Sequence, residues 1–151
     1  MGDKHGNAIA LGGRDCSTQR RFQKIFEEGP PVVSDEDVFI DMQRAAVNLC
    51  RSLGYQSAGT VEYMYILDTK DYYFLELNPR LQVEHPVTES ITGVSLPGTQ
   101  LHVAMGIPLY NIPEVRAPTR TRTLHPHAHP LTLTLTLALT LTLTLTLTLT
   151  L

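Results

Sequence analysis

The sequence predicts an α+β fold, an antiparallel sheet with covering helices, followed by a low-complexity tail. Three patterns predict it. Apolar and polar residues alternate along Thr60–Tyr65 and again along Tyr73–Asn78, the period of strands with two unlike faces. Asp68-Thr69-Lys70-Asp71 between them is polar and turn-like, so the two strands close as a hairpin. Upstream, Phe39, Met42, Ala46, Leu49, Cys50 and Leu53 recur at helical spacing, which predicts an amphipathic helix laid over that sheet.

The elements follow in chain order. Asp3–Asn7 reads as a turn and Ala8–Leu11 as a short strand. Arg14, Arg20, Arg21 and Lys24, followed by Glu27-Glu28, read from composition as a solvated, charge-balanced segment. Gly29-Pro30-Pro31 is a break. Ser34 is placed to cap a helix over 35–53, with Asp37 three residues on and Gly54 at its end; Phe39 and Met42 are its core residues. After the hairpin, Pro79 lacks a backbone donor and ends regular pairing. His85, followed by Pro86 in a tight turn, reads as structural. Pro86–Gly93 predicts a short helix stopped by glycine. Leu96-Pro97 opens another, with Leu101, Ala104 and Met105 on its buried face, Gly106 at its end and Pro108 beyond.

Length and charge exclude several classes. The 151 residues suffice for one ordinary domain, and a net charge of −3 gives no basic footprint for nucleic acid. Cys16 and Cys50 lack metal-ligand spacing and read as reduced thiols of an intracellular protein. The N-terminus carries no secretory pattern, and Gly6 stands where myristoylation needs Ser or Thr. Beyond Arg116 the character changes. His125, His127 and His129 sit in a Pro-rich run that makes a poor metal site. Leu131–Leu151 is strict Leu-Thr alternation broken once at Ala138, far longer than the usual strand of about 5–6 residues. Its threonine content argues against a membrane span. The tail, 117–151, reads as translated simple-sequence DNA without a fold.

The chemistry gathers around the hairpin. In one register Glu62 lies opposite Glu76, a like-charge pair that destabilises a sheet unless a cation reverses the sign. Asn78 faces the same way and offers a carbonyl oxygen. If the chain stays extended past Pro79, Arg80, Gln82 and Glu84 join that face. Residues 76–84 alone would then put two carboxylates, two amides and a guanidinium on it, while Tyr73, Leu75 and Leu77 share the other face.

The run Phe74-Leu75-Glu76-Leu77-Asn78-Pro79-Arg80-Leu81-Gln82-Val83-Glu84-His85-Pro86-Val87-Thr88-Glu89 resembles the signature of biotin carboxylases, and Gly13-Arg14-Asp15-Cys16-Ser17-Thr18-Gln19-Arg20-Arg21 resembles that family's other long motif, in the same order and spacing. Leu75–Arg80 and Ala104–Tyr110 are closest in flavour to eukaryotic multidomain acetyl-CoA carboxylases. The resemblance covers residues 3–116. It implies the C-terminal part of an ATP-grasp domain and the ATP- and bicarbonate-dependent carboxylation of biotin, on the way to malonyl-CoA and fatty acids. It also implies roles. Glu62 and Glu76 bind Mg²⁺ or Mn²⁺ with ATP, and Asn78 is a further metal ligand. Gln19 lies near the nucleotide. Lys24, Arg80, Gln82 and Val83 (through its backbone) surround bicarbonate. Glu84 is the general base, and Arg80 is catalytic. Phe22 replaces the family's usual histidine beside the nucleotide and loses its hydrogen bonds.

By the same resemblance a strand precedes Asp3–Asn7, so the chain is expected to begin in mid-domain, Met1 not being a biological start. The phosphate-clamping lysines and glycine-rich loop are expected upstream, and an enolate-holding arginine downstream. The isolated chain is then inactive, with apolar surface exposed. The expected partners are the biotinylated carrier domain and the remaining carboxylase domains, in a homo-oligomeric parent enzyme of the cytoplasm or plastid, with no membrane partner. Propionyl-CoA or pyruvate carboxylase, another ATP-grasp ligase, and a non-catalytic truncated product are the alternatives.

Overall fold

The computed structural model describes residues 1–116 other than Phe22 and Val33; the Phe22 substitution and the His-Pro and Leu-Thr tail lie outside the described residues. The elements in order are β1 (Gln19–Arg20), β2 (Gln23–Lys24), α1 (Glu36–Ser52), β3 (Thr60–Tyr65), β4 (Tyr72–Asn78), α2 (His85–Thr92), α3 (Leu96–Ala104), a 3₁₀ turn (Leu109–Asn111) and α4 (Pro113–Arg116). β1 pairs antiparallel with β2, and β3 with β4, as two separate two-stranded sheets. Among the described residues no helix is long and apolar enough to cross a membrane.

The hairpin forms as its alternation predicts, with Glu62 directly opposite Glu76 and Val61 opposite Leu77. One feature departs from strict period two. The register shifts after Glu62, so that Tyr63 faces Phe74 and Leu75 has no partner. This bulge moves Phe74 to the face of Val61 and Leu77, and Tyr73 to the face of Glu76, reversing the expected grouping of Tyr73 with Leu75 and Leu77.

Helix α1 covers the tyrosine face. Tyr63 donates from its hydroxyl to the Met42 carbonyl at 3.2 Å, and Tyr72 to the Asp41 carboxylate at 2.6 Å. The Tyr63 and Tyr72 rings meet edge to face at 5.3 Å. Met42 is buried under this contact. The cap is Asp35, one residue later than Ser34: its carboxylate accepts from the Asp37 amide, and it also pairs with Lys70 of the hairpin turn at 2.7 Å. A carboxylate offers both the cap and the ion pair, which a serine hydroxyl does not. Gly54 and Gly93 follow α1 and α2 at φ +60° and +74°, the left-handed conformation that ends a helix.

Two other expectations are corrected. Ala8–Leu11 is not a strand: only Ala8 bridges, to Gly2, and the pairing ends where Ile9 exchanges both backbone bonds with Met1. Helix α3 buries Leu96, Thr99 and Val103, while Leu101 and Met105 are 67% and 75% exposed and Ala104 is exposed. The buried face is set by the chain that follows: Val103 packs on Leu109 and Ile112, joined by Ile9, Ile107 and Val115. Elsewhere apolar surface is open, with Met64, Leu67, Tyr73, Phe74 and Leu75 of the hairpin all exposed.

The two ends of this unit are clasped by Asp3. Its buried carboxylate accepts from the amides of His5 and Asn7, from the Asn7 side chain, and from the Leu109 amide, all at 2.8–2.9 Å. Burial raises its pKa, but the four donors outweigh it and hold the carboxyl below its ordinary value. A depressed folded pKa means that this stabilisation is complete above the unfolded value and is lost as pH falls through the folded one. Asp3→Asn, which keeps one acceptor oxygen, is expected to cost about 2 kcal/mol at neutral pH and to flatten the acid limb of stability. Urea unfolding at pH 7 and pH 3 measures both.

Candidate functional site

The carboxylates of β3 and β4 are held together by donors. Asn78, at the end of β4, gives its amide nitrogen to Glu62 at 3.1 Å and to Glu76 at 2.9 Å. The Lys24 ammonium, at the end of β2, pairs with Glu62. Burial works to lower the Lys24 pKa, but the bond to Glu62, followed by the charges of Cys16, Glu62 and Glu27, carries it upward. The like-charge cross-strand pair is thus offset by one full and one partial positive charge.

The donor set fits a hard divalent cation. Among the described residues no three His, Cys, Asp or Glu side chains gather as a cage; two carboxylates and one amide do. Mg²⁺ characteristically uses one or two carboxylates and leaves its other positions to water and phosphate. Asn78 brings its oxygen to the carboxylates by a half-turn about its terminal torsion.

The chain past Asn78 does not continue as a strand. Pro79–Gln82 is irregular, a turn follows at Val83-Glu84, and Glu84 is the cap residue of α2. The extended face expected for Arg80, Gln82 and Glu84 therefore does not form. Pro79 supplies no ladder donor, and the Gln82 carbonyl is taken instead by the His85 amide at 3.1 Å and the His85 Nδ1 at 2.8 Å. His85 thus braces the turn through the Gln82 carbonyl. Coil geometry nonetheless brings Arg80 and Gln82 to the same cavity as Lys24 and Glu62, a space of about 390 Å³ also lined by Arg14, Cys16, Glu27 and Thr88. Val83 is exposed. Arg80 is exposed and reaches only the Leu81 carbonyl, at 3.3 Å. Gln19 lies beside Lys24 across the β1–β2 pair and donates to the Cys16 carbonyl at 3.1 Å.

Sequence reasoning missed Arg14, Glu27 and Thr88. Arg14 is not solvated: its guanidinium reaches Glu27 at 3.2 Å, Thr88 at 2.7 Å and Gln82 at 2.7 Å. Glu27 is buried, and burial pushes its carboxyl up; Arg14 opposes this and the charge of Glu84 adds to it. The available signal was Arg14's place inside the first long motif. Cys16 and Cys50 are half-buried free thiols, and burial raises the pKa of Cys16.

Known proteins match this arrangement. The family model described as carbamoyl-phosphate synthase L chain, ATP binding domain, matches residues 1–112. The chain is 62% identical to an acetyl-CoA carboxylase of Dictyostelium discoideum over 116 residues, 77% of this chain and 5% of that protein. A solved biotin carboxylase–β,γ-ATP complex from Campylobacter jejuni superposes with a TM-score of 0.68 at 42% identity, over 70% of this chain and 24% of that one. The urea carboxylase of Kluyveromyces lactis gives 0.70 at 47% identity, over 72% of this chain and 10% of that one. The chain therefore spans about a twentieth of the length of the curated relative it matches.

If the carboxylate pair is a cation site, its charge repulsion and its affinity rise and fall together. Glu76→Gln is expected to stabilise the metal-free protein by about 0.2–1 kcal/mol and to abolish the rise in melting temperature that Mn²⁺ gives the unmodified chain. Melts with and without Mn²⁺ test this; a variant still stabilised by Mn²⁺ places the ion elsewhere.

Proposed function

The chain belongs to the carbamoyl-phosphate synthase L chain ATP-binding domain family, and on that footing we propose that it is the later part of the biotin carboxylase domain of an acetyl-CoA carboxylase. The observation that carries this reading is the cross-strand Glu62–Glu76 pair with Asn78 and Lys24 attached, of which Glu62 and Lys24 line the same cavity as Arg80 and Gln82. Identity favours the acetyl-CoA enzymes, at 62% against 47% for the urea carboxylase.

The resemblance assigns each residue a part in the reaction. Glu62, Glu76 and Asn78 would hold Mg²⁺ or Mn²⁺, which neutralises phosphate charge when bound. Lys24, Arg80 and the Gln82 amide supply positive charge and N–H donors for bicarbonate, with the Val83 amide beside them. Glu84 takes the bicarbonate proton, and the oxygen so freed attacks the γ-phosphorus of ATP as the bond to ADP breaks. Arg80, unpaired with any carboxylate among the described residues, is available to the anion that results. Gln19, next to Lys24, borders the nucleotide. The carboxyl group passes to biotin on a carrier domain outside this chain.

The test is to exchange residues 1–112 for the matching segment of the full-length Dictyostelium carboxylase and measure ATP- and bicarbonate-dependent carboxylation. The exchanged enzyme is expected to work. Glu84→Gln and Arg80→Ala in it should each lower kcat by about 100-fold or more. Near-normal turnover in either variant removes that residue from the chemistry, and no carboxylation by a folded exchange enzyme sinks the proposal.

A further inference from the structure

Arg14 itself has no part in the proposed chemistry, yet its guanidinium joins three segments of the site. Nε donates to Glu27 at 3.2 Å, Nη1 to the Thr88 hydroxyl of α2 at 2.7 Å, and Nη2 to Gln82 Oε1 at 2.7 Å. The partners are enclosed: the Arg14 and Glu27 side chains are 12% and 10% exposed, and Gln82 and Thr88 are 6% exposed. Each of its three nitrogens is engaged, so all three partners hold the guanidinium in place.

A guanidinium has five donors and no acceptor, so the Gln82 atom facing it must be the carbonyl oxygen. The amide nitrogen then points away from Arg14. The main chain of Gln82 is fixed independently, its carbonyl accepting from the His85 amide and ring. The side chain is buried, and the bond from Arg14 is the contact that decides which end of its amide faces the guanidinium. Without Arg14, Gln82 turns either end toward its neighbours, and the carbonyl end repels an oxyanion.

We propose that Arg14 is a positioning residue that fixes the polarity of the Gln82 amide, so that the site offers bicarbonate an N–H donor and not a carbonyl. The inference rests on the reading of Gln82 as a bicarbonate ligand. Glu27 and Thr88 hold the guanidinium in the plane this requires. A lysine at position 14 keeps the charge but lacks the planar fork that reaches three partners at once.

The experiment uses the full-length exchange enzyme and reads KM for bicarbonate, KM for ATP and kcat for bicarbonate-dependent ATP hydrolysis. Arg14→Lys is expected to raise KM for bicarbonate about 10- to 100-fold, the worth of a hydrogen bond to a charged group, with KM for ATP within about twofold. Gln82→Met should raise it similarly, and the double variant should be no worse than Gln82→Met alone, because the two residues act as one unit. If Gln82→Met leaves KM for bicarbonate unchanged, the ligand reading fails and takes this inference with it. If Gln82→Met raises it and Arg14→Lys does not, or the two effects multiply in the double variant, the positioning role alone is overturned. Should Arg14→Lys fail to fold, Thr88→Val decides: it frees one guanidinium nitrogen without touching Gln82. It is expected to raise KM for bicarbonate several-fold, and no change in a folded variant overturns the inference.

Discussion

Two carboxylates face each other across the only long hairpin of the described residues, and most of the site follows from the need to offset that repulsion. Glu62 and Glu76 are directly opposed, where like charges are unfavourable. Asn78 answers from the same strand and Lys24 from a separate two-stranded pair. The register is thereby locked from both sides. A one-residue slip would turn the acids toward the tyrosine face under α1, away from both donors. The bulge at Leu75 lies next to the pair and keeps it in place while the far half of the hairpin shifts to seat Tyr63 and Tyr72 against α1.

The site has two ends of different construction. The carboxylate end is built on paired strands, whose geometry is fixed by ladder hydrogen bonds. The end proposed for bicarbonate is built on coil between β4 and α2, and its order comes from side chains: His85 on the Gln82 carbonyl, Arg14 on the Gln82 amide. A rigid scaffold would suit the proposed cation, which demands fixed ligand distances, and a laterally braced loop the proposed small planar anion. Arg14 binds the loop to α2 through Thr88 and to the N-terminal segment through Glu27, so the loop is held without regular structure.

Much of this was legible in the sequence. Period-two alternation fixed which residues of Thr60–Tyr65 share a face, while the opposition of Glu62 and Glu76 was one register among several and comes about through the bulge at Leu75, not through the turn. Glycines marked the ends of α1 and α2 because a left-handed residue is a local demand. What was not legible depended on distant partners. Asp35 displaced Ser34 as the cap because Lys70 lies beside it. Leu101 and Met105 look like the buried face of α3 by periodicity, but Leu109 and Ile112 pack on Val103 instead. Arg80–Glu84 alternates as a strand would, but Pro79 and the pull of His85 on Gln82 fold it into a turn. Arg14 and Glu27 read as solvated because an ion pair 13 residues apart leaves no trace in local composition.

The Asp3 clasp has a kinetic side. Its local bonds, to His5 and Asn7, need only seven residues of chain, but its bond to Leu109 spans 106. Closing such a loop costs about 4 kcal/mol in chain entropy. On a ribosome adding about 5–20 residues each second, the turn at Asp3 waits about 5–20 s for its far partner. Through that interval the carboxylate is spoken for by its neighbours, and so does not stand as a bare buried charge inviting wrong contacts. The far partner, a single backbone amide, then meets an acceptor whose other bonds are local.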